Sequence, residues 1–295
     1  MIKIRVPATS ANLGPGFDCL GLALDIWNEV NFEEADESTY QVTGEGAGRL
    51  NRRPKNLLTD SFKQVYEICG KPLRGANIQA HNNILLNSGL GSSAAAIVAG
   101  IYGANELLDK PLDTKALLKL AAEIEGHPDN VAAALLGGLV ISLPTQEQIL
   151  TRKFDDLPSL NIVIVKPDVH WPTRIARSVL PKTVSRIDAV FNIAHALLVV
   201  DALRTGDLDL LLHAMDDRIH QPYRLNQIPG GLVAFKLARE LGAAALSGAG
   251  PSIICFVPTG KGEEAKLKLI DVFAKQGIEA RVLITKPSIL GAHKL

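Results

Sequence analysis

Asn87-Ser88-Gly89-Leu90-Gly91-Ser92-Ser93-Ala94-Ala95-Ala96 joins a glycine-rich turn to an alanine-rich run that favours helix through about Leu108. The stretch reads as an anion site. Gly89 and Gly91 allow backbone angles that other residues avoid and let a ligand come close to the main chain. Ser92 or Ser93 can cap the helix, whose first amides lack intrahelical partners and present a positive dipole end to a phosphate. A P-loop would need Gly-Lys-Ser/Thr, and no lysine follows Gly91. A dinucleotide fingerprint would need three glycines after a strand and an acid further on, and neither spacing is met. What remains is a phosphate loop built from backbone amides and serine hydroxyls. Plain helix capping uses the same residues, so the reading needs companions elsewhere in the chain.

Three other stretches supply them. Ala8-Thr9-Ser10-Ala11-Asn12-Leu13-Gly14-Pro15-Gly16-Phe17-Asp18 follows a short alternating strand, Ile2, Ile4 and Val6, expected to end at Pro7. Its two glycines, its proline and its polar residues predict a tight loop in which several side chains converge. A helix from about Asp113 to Gly126 runs into His127-Pro128-Asp129-Asn130, which gathers imidazole, carboxylate and amide in four residues. Ser247-Gly248-Ala249-Gly250-Pro251-Ser252 joins two strands with more glycine than a hairpin requires.

Together and in chain order, these stretches resemble the motifs of the GHMP small-molecule kinases, and those at 8–18 and 127–130 resemble motifs of the homoserine kinases. The resemblance implies an α+β, two-domain GHMP kinase fold. A mixed α/β nucleotide domain would occupy 1–155 and a ferredoxin-like domain 156–295, with the joint in the polar stretch 144–159. It also implies transfer of the γ-phosphoryl group of ATP to the side-chain hydroxyl of L-homoserine, a step of threonine biosynthesis, with Mg²⁺ as cofactor and a homodimer as assembly. Asn87, Ser88, Gly89, Leu90, Gly91, Ser92, Ser93 and Ala94, with Gly248 and Gly250, would hold the nucleotide. Asn12, Asp18, His127, Asp129, Arg177 and Arg224 would hold the amino acid. The planar guanidinium forks of the two arginines suit a carboxylate; Arg174 is read as a bystander.

Asp129, Asn130 and Ser93 are the expected catalytic residues. No lysine occupies the N-terminal motif, so the lysine-aspartate pair of some family members is not assumed here. Phosphoryl transfer needs chiefly alignment and charge neutralisation. Asp129 is therefore expected to orient the hydroxyl. For Mg²⁺, Ser93 needs a carboxylate partner. Glu123 and Glu125 are both near enough in sequence but point about 200° apart on a helix. Glu123 is favoured because it shares a helical face with His127.

Composition narrows the rest. With 47% hydrophobic residues among 295, the chain can bury a full core. Thirty-one basic residues balance 31 acidic ones, which argues against nucleic acid. Three scattered cysteines form no metal spacing or disulfide framework and fit a reducing cytoplasm. No apolar run of membrane-spanning length or signal-peptide block is present. In the second half, apolar stripes predict a buried strand at 160–165, helices at 172–180, 187–203, 230–241 and 263–276, and strands at 243–246, 253–257 and 280–284. Two rival readings stay open: a mevalonate- or sugar-type GHMP kinase, which has no use for two carboxylate-binding arginines, and a non-catalytic binding module, which has no use for a metal carboxylate beside Asp129.

Overall fold

The opening strand continues past Pro7, buried on both faces from Val6 on: β1 spans Ile2–Asn12 and turns almost at once into the 20-residue β2, Gly16–Ala35. Pro7 is tolerated because the register slips between Pro7 and Ala8, and at such a bulge a missing N–H leaves no ladder bond broken. The computed structural model describes residues 1–52, 56–73 and 75–295. After β2 come β3 (Thr39–Gly44), α1 (Ala47–Leu50), α2 (Leu57–Ile68), β4 (Gly75–Asn82), α3 (Ser92–Leu107), α4 (Thr114–Glu125) and α5 (Pro128–Leu136). Strands β5 (Leu139–Pro144) and β6 (Ile149–Phe154) close the first half.

β2 organises this half. Along its length it pairs with β1, while its first part also takes β5 and its last part β4. The helices pack on the buried face of that sheet. α3, rich in alanine and buried on nearly every side, is the central one. Asn56 caps α2 by accepting from the Thr59 amide, which fixes where that helix starts.

The second half runs β7 (Asn161–Pro167), α6 (Thr173–Ser178), α7 (Arg186–Thr205), α8 (Leu208–Ala214), α9 (Gln221–Leu225), α10 (Gly231–Leu241), β8 (Ala243–Leu246), β9 (Ile253–Val257), α11 (Gly262–Ala274) and β10 (Ala280–Thr285). Its sheet has the order β10-β7-β9-β8 with every pair antiparallel. Fourth, first, third, second is the ferredoxin-like order, with α10 and α11 packed on the sheet through Ala234, Phe235, Ala238, Leu269 and Phe273.

Two strands were not legible in the sequence. β6 lies in the stretch read as a joint; it is an edge strand, half exposed and carrying Arg152 and Lys153, and so lacks a buried stripe. The terminal β11 (His293–Lys294) leaves the second sheet and pairs with β1 at Ile4 and Arg5. Backbone bonds from Leu295 to Lys3, from Ala292 to Ala134 and from Ser288 to Ala23 carry the last ten residues back to the first sheet. A single cut near 155 therefore does not describe the tail. Among the described residues no helix is long and apolar enough to cross a membrane.

Candidate active site

Three loops meet where the two sheets join, and main chain holds main chain. The Thr9 amide donates to Leu90 O at 3.1 Å, that of Gly248 to Ala11 O at 3.0 Å, and that of Ser252 to Ser88 O at 3.2 Å. Gly89 has φ +78°, and a Cβ on it would strike the carbonyl of Ser247. Gly91, at φ +65°, is itself the N-cap of α3, and a Cβ there would strike Thr9 Oγ1. Ser92 and Ser93, expected as caps, are the helix's first two residues and line the cavity between the loops, of about 530 Å³.

Asn87, Ser88, Gly89, Gly91, Ser92 and Ser93 all border that cavity, with Gly248 opposite. Leu90 and Ala94 do not: both side chains are buried in the core, and the Leu90 amide and carbonyl are engaged by Ser88 Oγ and the Thr9 amide. Gly250 is also set back, donating its amide to Ser247 O, and Ala249 takes its place in the wall.

The turn between β1 and β2 holds Asn12, Leu13 and Asp18 at positive φ, a strained arrangement for residues with side chains. Asn12 sustains it by donating Nδ2 to Gly248 O at 2.8 Å while Oδ1 accepts from the Asp18 amide at 3.0 Å. Asn12 borders the cavity, and its amide, engaged by the protein on both sides, positions Asp18. Asp18 forms a two-pronged pair with Arg177, Nη2 to Oδ1 at 2.8 Å and Nη1 to Oδ2 at 3.3 Å. Arg177 Nε is buried without a partner among the described residues. Arg174 stays exposed.

The preference for Glu123 is overturned. Glu123 is exposed, whereas Glu125 lines the cavity and accepts from Ser93 Oγ at 2.5 Å. The face shared with His127 does not exist, because Gly126 at φ +89° ends α4 and His127 is extended. Helical spacing carries no information across that break. Burial raises the Glu125 carboxyl above its usual range, with the bond from Ser93 acting against it.

His127 precedes α5, lines the cavity, and is held below its usual pKa first by burial and then by Arg177. Asp129 is the second residue of α5 and only 3% exposed. Gly21 lets the α5 start lie on β2, since a Cβ there would meet Asp129 O. Asp129 Oδ1 accepts from the Asn130 amide at 2.6 Å and from Asn130 Nδ2 at 3.2 Å. Burial nevertheless pushes its carboxyl up to about 6. Asn130 Oδ1 accepts from Thr9 Oγ1 at 2.8 Å, a role for Thr9 that its place in a small-residue run does not announce.

Arg224 is 1% exposed and far from a surface arginine. Nε donates to Ala176 O at 3.0 Å and Nη1 to Gly248 O at 3.1 Å, while the guanidinium borders the cavity. Burial and the neighbouring Arg177 push its pKa down to about 10, so it is still a cation at neutral pH. Its truncation would free the Gly248 loop, whereas the hydrogen bonds of Arg177 go to the Asp18 side chain. The far end of the cavity, lined by Tyr40, Leu50, Asn56, Leu57, Asn82 and Leu86, is half apolar and can take a planar group. These residues come from five separate segments, and nothing in their local patterns joins them.

The site combines an anion loop at a helix start, three buried or half-buried carboxylates (Asp18, Glu125 and Asp129) and two arginines. A family model described as the GHMP kinases N terminal domain matches residues 56–138, and one described as GHMP kinases C terminal matches 199–275. The chain belongs to the GHMP kinase family, among its homoserine kinases. A homoserine kinase of Moorella thermoacetica is 44% identical over 296 residues, covering 99% of both chains. One of Gloeobacter violaceus is 47% identical over 257 residues, covering 85% of this chain and 86% of its own. The crystal structure of homoserine kinase from Cytophaga hutchinsonii superposes with a TM-score of 0.87 at 31% identity, covering 100% of this chain and 97% of its own. The L. major mevalonate kinase structure, at 16% identity and a TM-score of 0.70 over 97% of this chain and 96% of its own, shares the fold. The chain is accordingly an ATP-dependent small-molecule kinase.

Asp129 should leave a thermodynamic trace. Its folded pKa of about 6 lies above the ordinary 3.8, so the native state holds a proton that the unfolded state has lost between those values, and stability falls as pH rises through that window. Asp129→Asn keeps the oxygen that accepts from Asn130 and removes the titration. The variant should gain on the order of 2–3 kcal/mol relative to wild type at pH 7 and nothing at pH 3.5. Urea unfolding at the two pH values measures it; an equal gain at both would show that Asp129 is ionised at ordinary acidity.

Proposed function

We propose that this kinase transfers the γ-phosphoryl group of ATP to the side-chain hydroxyl of L-homoserine. The observation that carries the reading is the juxtaposition of the Asp18–Arg177 pair and Arg224 with the phosphate loop in one cavity. An α-amino acid brings an ammonium and a carboxylate, the complements of Asp18 and the two arginines, and the pair's own partners are what such a ligand would replace. Relatives named homoserine kinases, at 37–47% identity, support the same substrate.

In this reading the free amides at the start of α3 and those of the glycine turn bind the nucleotide phosphates. Asp129, supported by Asn130 and through it by Thr9, faces the acceptor hydroxyl and holds it in line. With a pKa of about 6, Asp129 is mostly ionised at neutral pH and accepts that hydroxyl's hydrogen bond. Ser93 and Glu125 are the residues that would hold Mg²⁺. Their oxygens already converge, both are hard donors, and no group of three His, Cys, Asp or Glu residues in the described chain competes as a metal site. Bound there, the metal supplies charge neutralisation at the transferring phosphoryl group.

The assembly we propose is a homodimer through α7. Its outer face exposes Ile187, Val190, Ile193, Leu197 and Leu198. At its ends Arg186 and Asp201 form no ion pair within the described chain. Two α7 helices packed antiparallel would set Val190 over Leu197 and Arg186 beside Asp201 of the second copy.

Three outcomes follow. Glu125→Gln should raise the Mg²⁺ concentration needed for half-maximal activity at least tenfold, whereas Glu123→Gln should leave it unchanged; the converse result would return the metal to Glu123. Arg177→Ala should raise the KM for homoserine about 10- to 150-fold, the equivalent of ~1.5–3 kcal/mol for a charge-assisted hydrogen bond, with the KM for ATP little altered. If wild type phosphorylates 3-aminopropan-1-ol as well as homoserine in a coupled ADP-release assay, the carboxylate is not recognised and the substrate is a neutral or sugar alcohol. Ile193→Asp should convert a dimer into a monomer by light scattering, and a wild-type monomer at micromolar concentration would remove the α7 assembly.

A further inference from the structure

His220 sits in the segment before α9 and is fully buried, outside the wall of the cavity and assigned no part in the reaction. Its two nitrogens have partners that fix its chemical state. Nε2 lies 2.7 Å from the carbonyl of Gly14, which can only accept, so Nε2 carries a proton. Nδ1 lies 3.2 Å from Arg224 Nη1, which can only donate, so Nδ1 is bare. The ring is therefore the neutral Nε2–H tautomer. Asp217 Oδ2 stands 3.6 Å from Nε2 but already accepts from the His220 and Gln221 amides, at 2.9 and 2.6 Å. Asp217 Oδ1 takes Asn192 Nδ2 and the Ile219 amide, so this carboxylate builds the turn rather than an ion pair with the ring. Phe17, in the loop that ends at Asp18, stacks on the imidazole with centroids 5.2 Å apart, and both Arg177 and Arg224 lie over the Phe17 ring.

One imidazole thus grips both arms of the substrate site: the Gly14–Asp18 loop by its donor and Arg224 by its acceptor. We propose that His220 is a positioning residue for amino-acid binding, which sets the direction of the Arg224 guanidinium relative to the loop that carries Asp18. With Nε and Nη1 of Arg224 held by Ala176, Gly248 and His220, Nη2 is the part of the fork left for a ligand. A protonated His220 could not accept from Arg224, and burial holds the ring below its usual pKa, in the neutral form this role requires. The inference rests on the homoserine reading.

Two near-isosteres separate the two grips. In His220→Asn the amide oxygen stands where Nδ1 was and can accept from Arg224, while the donor to Gly14 is lost. In His220→Gln the amide nitrogen reaches toward Gly14, while the acceptor for Arg224 is lost. With wild type shown to phosphorylate homoserine, His220→Gln should raise the homoserine KM about tenfold or more and His220→Asn no more than threefold. The ATP KM should stay within twofold in both, and the slow turnover of 3-aminopropan-1-ol should change equally in both. Equal homoserine KM values in the two folded variants would overturn the proposal, leaving His220 a space-filling ring. A wild type that ignores homoserine but phosphorylates another alcohol would instead fail the substrate reading. A measurement on unmutated protein guards against variants that do not fold: ¹⁵N chemical shifts of His220 should report a bare Nδ1 and a protonated Nε2 from pH 6 to 8. A protonated Nδ1 anywhere in that range would sink the proposal.

Discussion

Main chain touches main chain where the two sheets meet, and that contact is possible only with glycine on both sides. Gly89 packs on the carbonyl of Ser247 and Gly248 packs back on Gly89, with backbone bonds from Gly248 to Ala11 and from Ser252 to Ser88 closing the junction. A methyl group at Gly89 would force apart the loop at 87–93 and the loop at 247–252. Everything chemical in the molecule hangs on this seam. It places the start of α3, the strained turn at Asn12 and the α5 start within one cavity, although they arise far apart in the chain.

Charge in that cavity is distributed by burial as much as by pairing. Asp129 and Glu125 are pushed toward neutrality, Arg224 has its pKa lowered yet remains charged, and His127, with His220 behind the cavity wall, is pushed below its usual pKa, each for the same leading reason of desolvation. A cavity in which carboxylates resist ionisation is prepared for cations and for proton acceptance. The stability it gives up at Asp129 is the ordinary exchange between a functional carboxylate and a packed core.

What the sequence disclosed follows from how local each cause is. The helices α2 and α4 are written in their own stripes and caps and α3 in its alanine-rich run, and the motif at 87–96 is a local conformation with a local reason. The end of β1 was misplaced at Pro7 because a bulge, visible only in pairing with β2, absorbs the proline. β6 and β11 are edge pieces whose partners lie elsewhere in sequence. Glu123 was preferred to Glu125 by carrying helical periodicity through Gly126, although a glycine at the close of a helical run is itself the signal that periodicity stops. Leu90 sits within the motif yet faces the core, between two glycines at positive φ that turn the main chain on either side of it. His220 could not be singled out at all: a lone histidine shows its meaning only when both its nitrogens have been given partners.

On the proposed reading, the Asp18–Arg177 pair gives the site its discrimination. Each member is about one-third exposed, so the pair itself adds little stability, and opening it to admit a ligand costs correspondingly little. A ligand that carries both an ammonium and a carboxylate replaces each lost partner with another of the same sign. An alcohol with one charge leaves either Asp18 or Arg177 facing a buried, partly desolvated neighbour, and one with none leaves the pair closed. Selectivity then arises from the penalty on the wrong ligand more than from extra affinity for the right one. Such a penalty requires the two arms to keep a fixed separation, and in this chain that separation is set by strained backbone at Asn12 and by buried groups behind Arg224, none of which needs to touch the ligand.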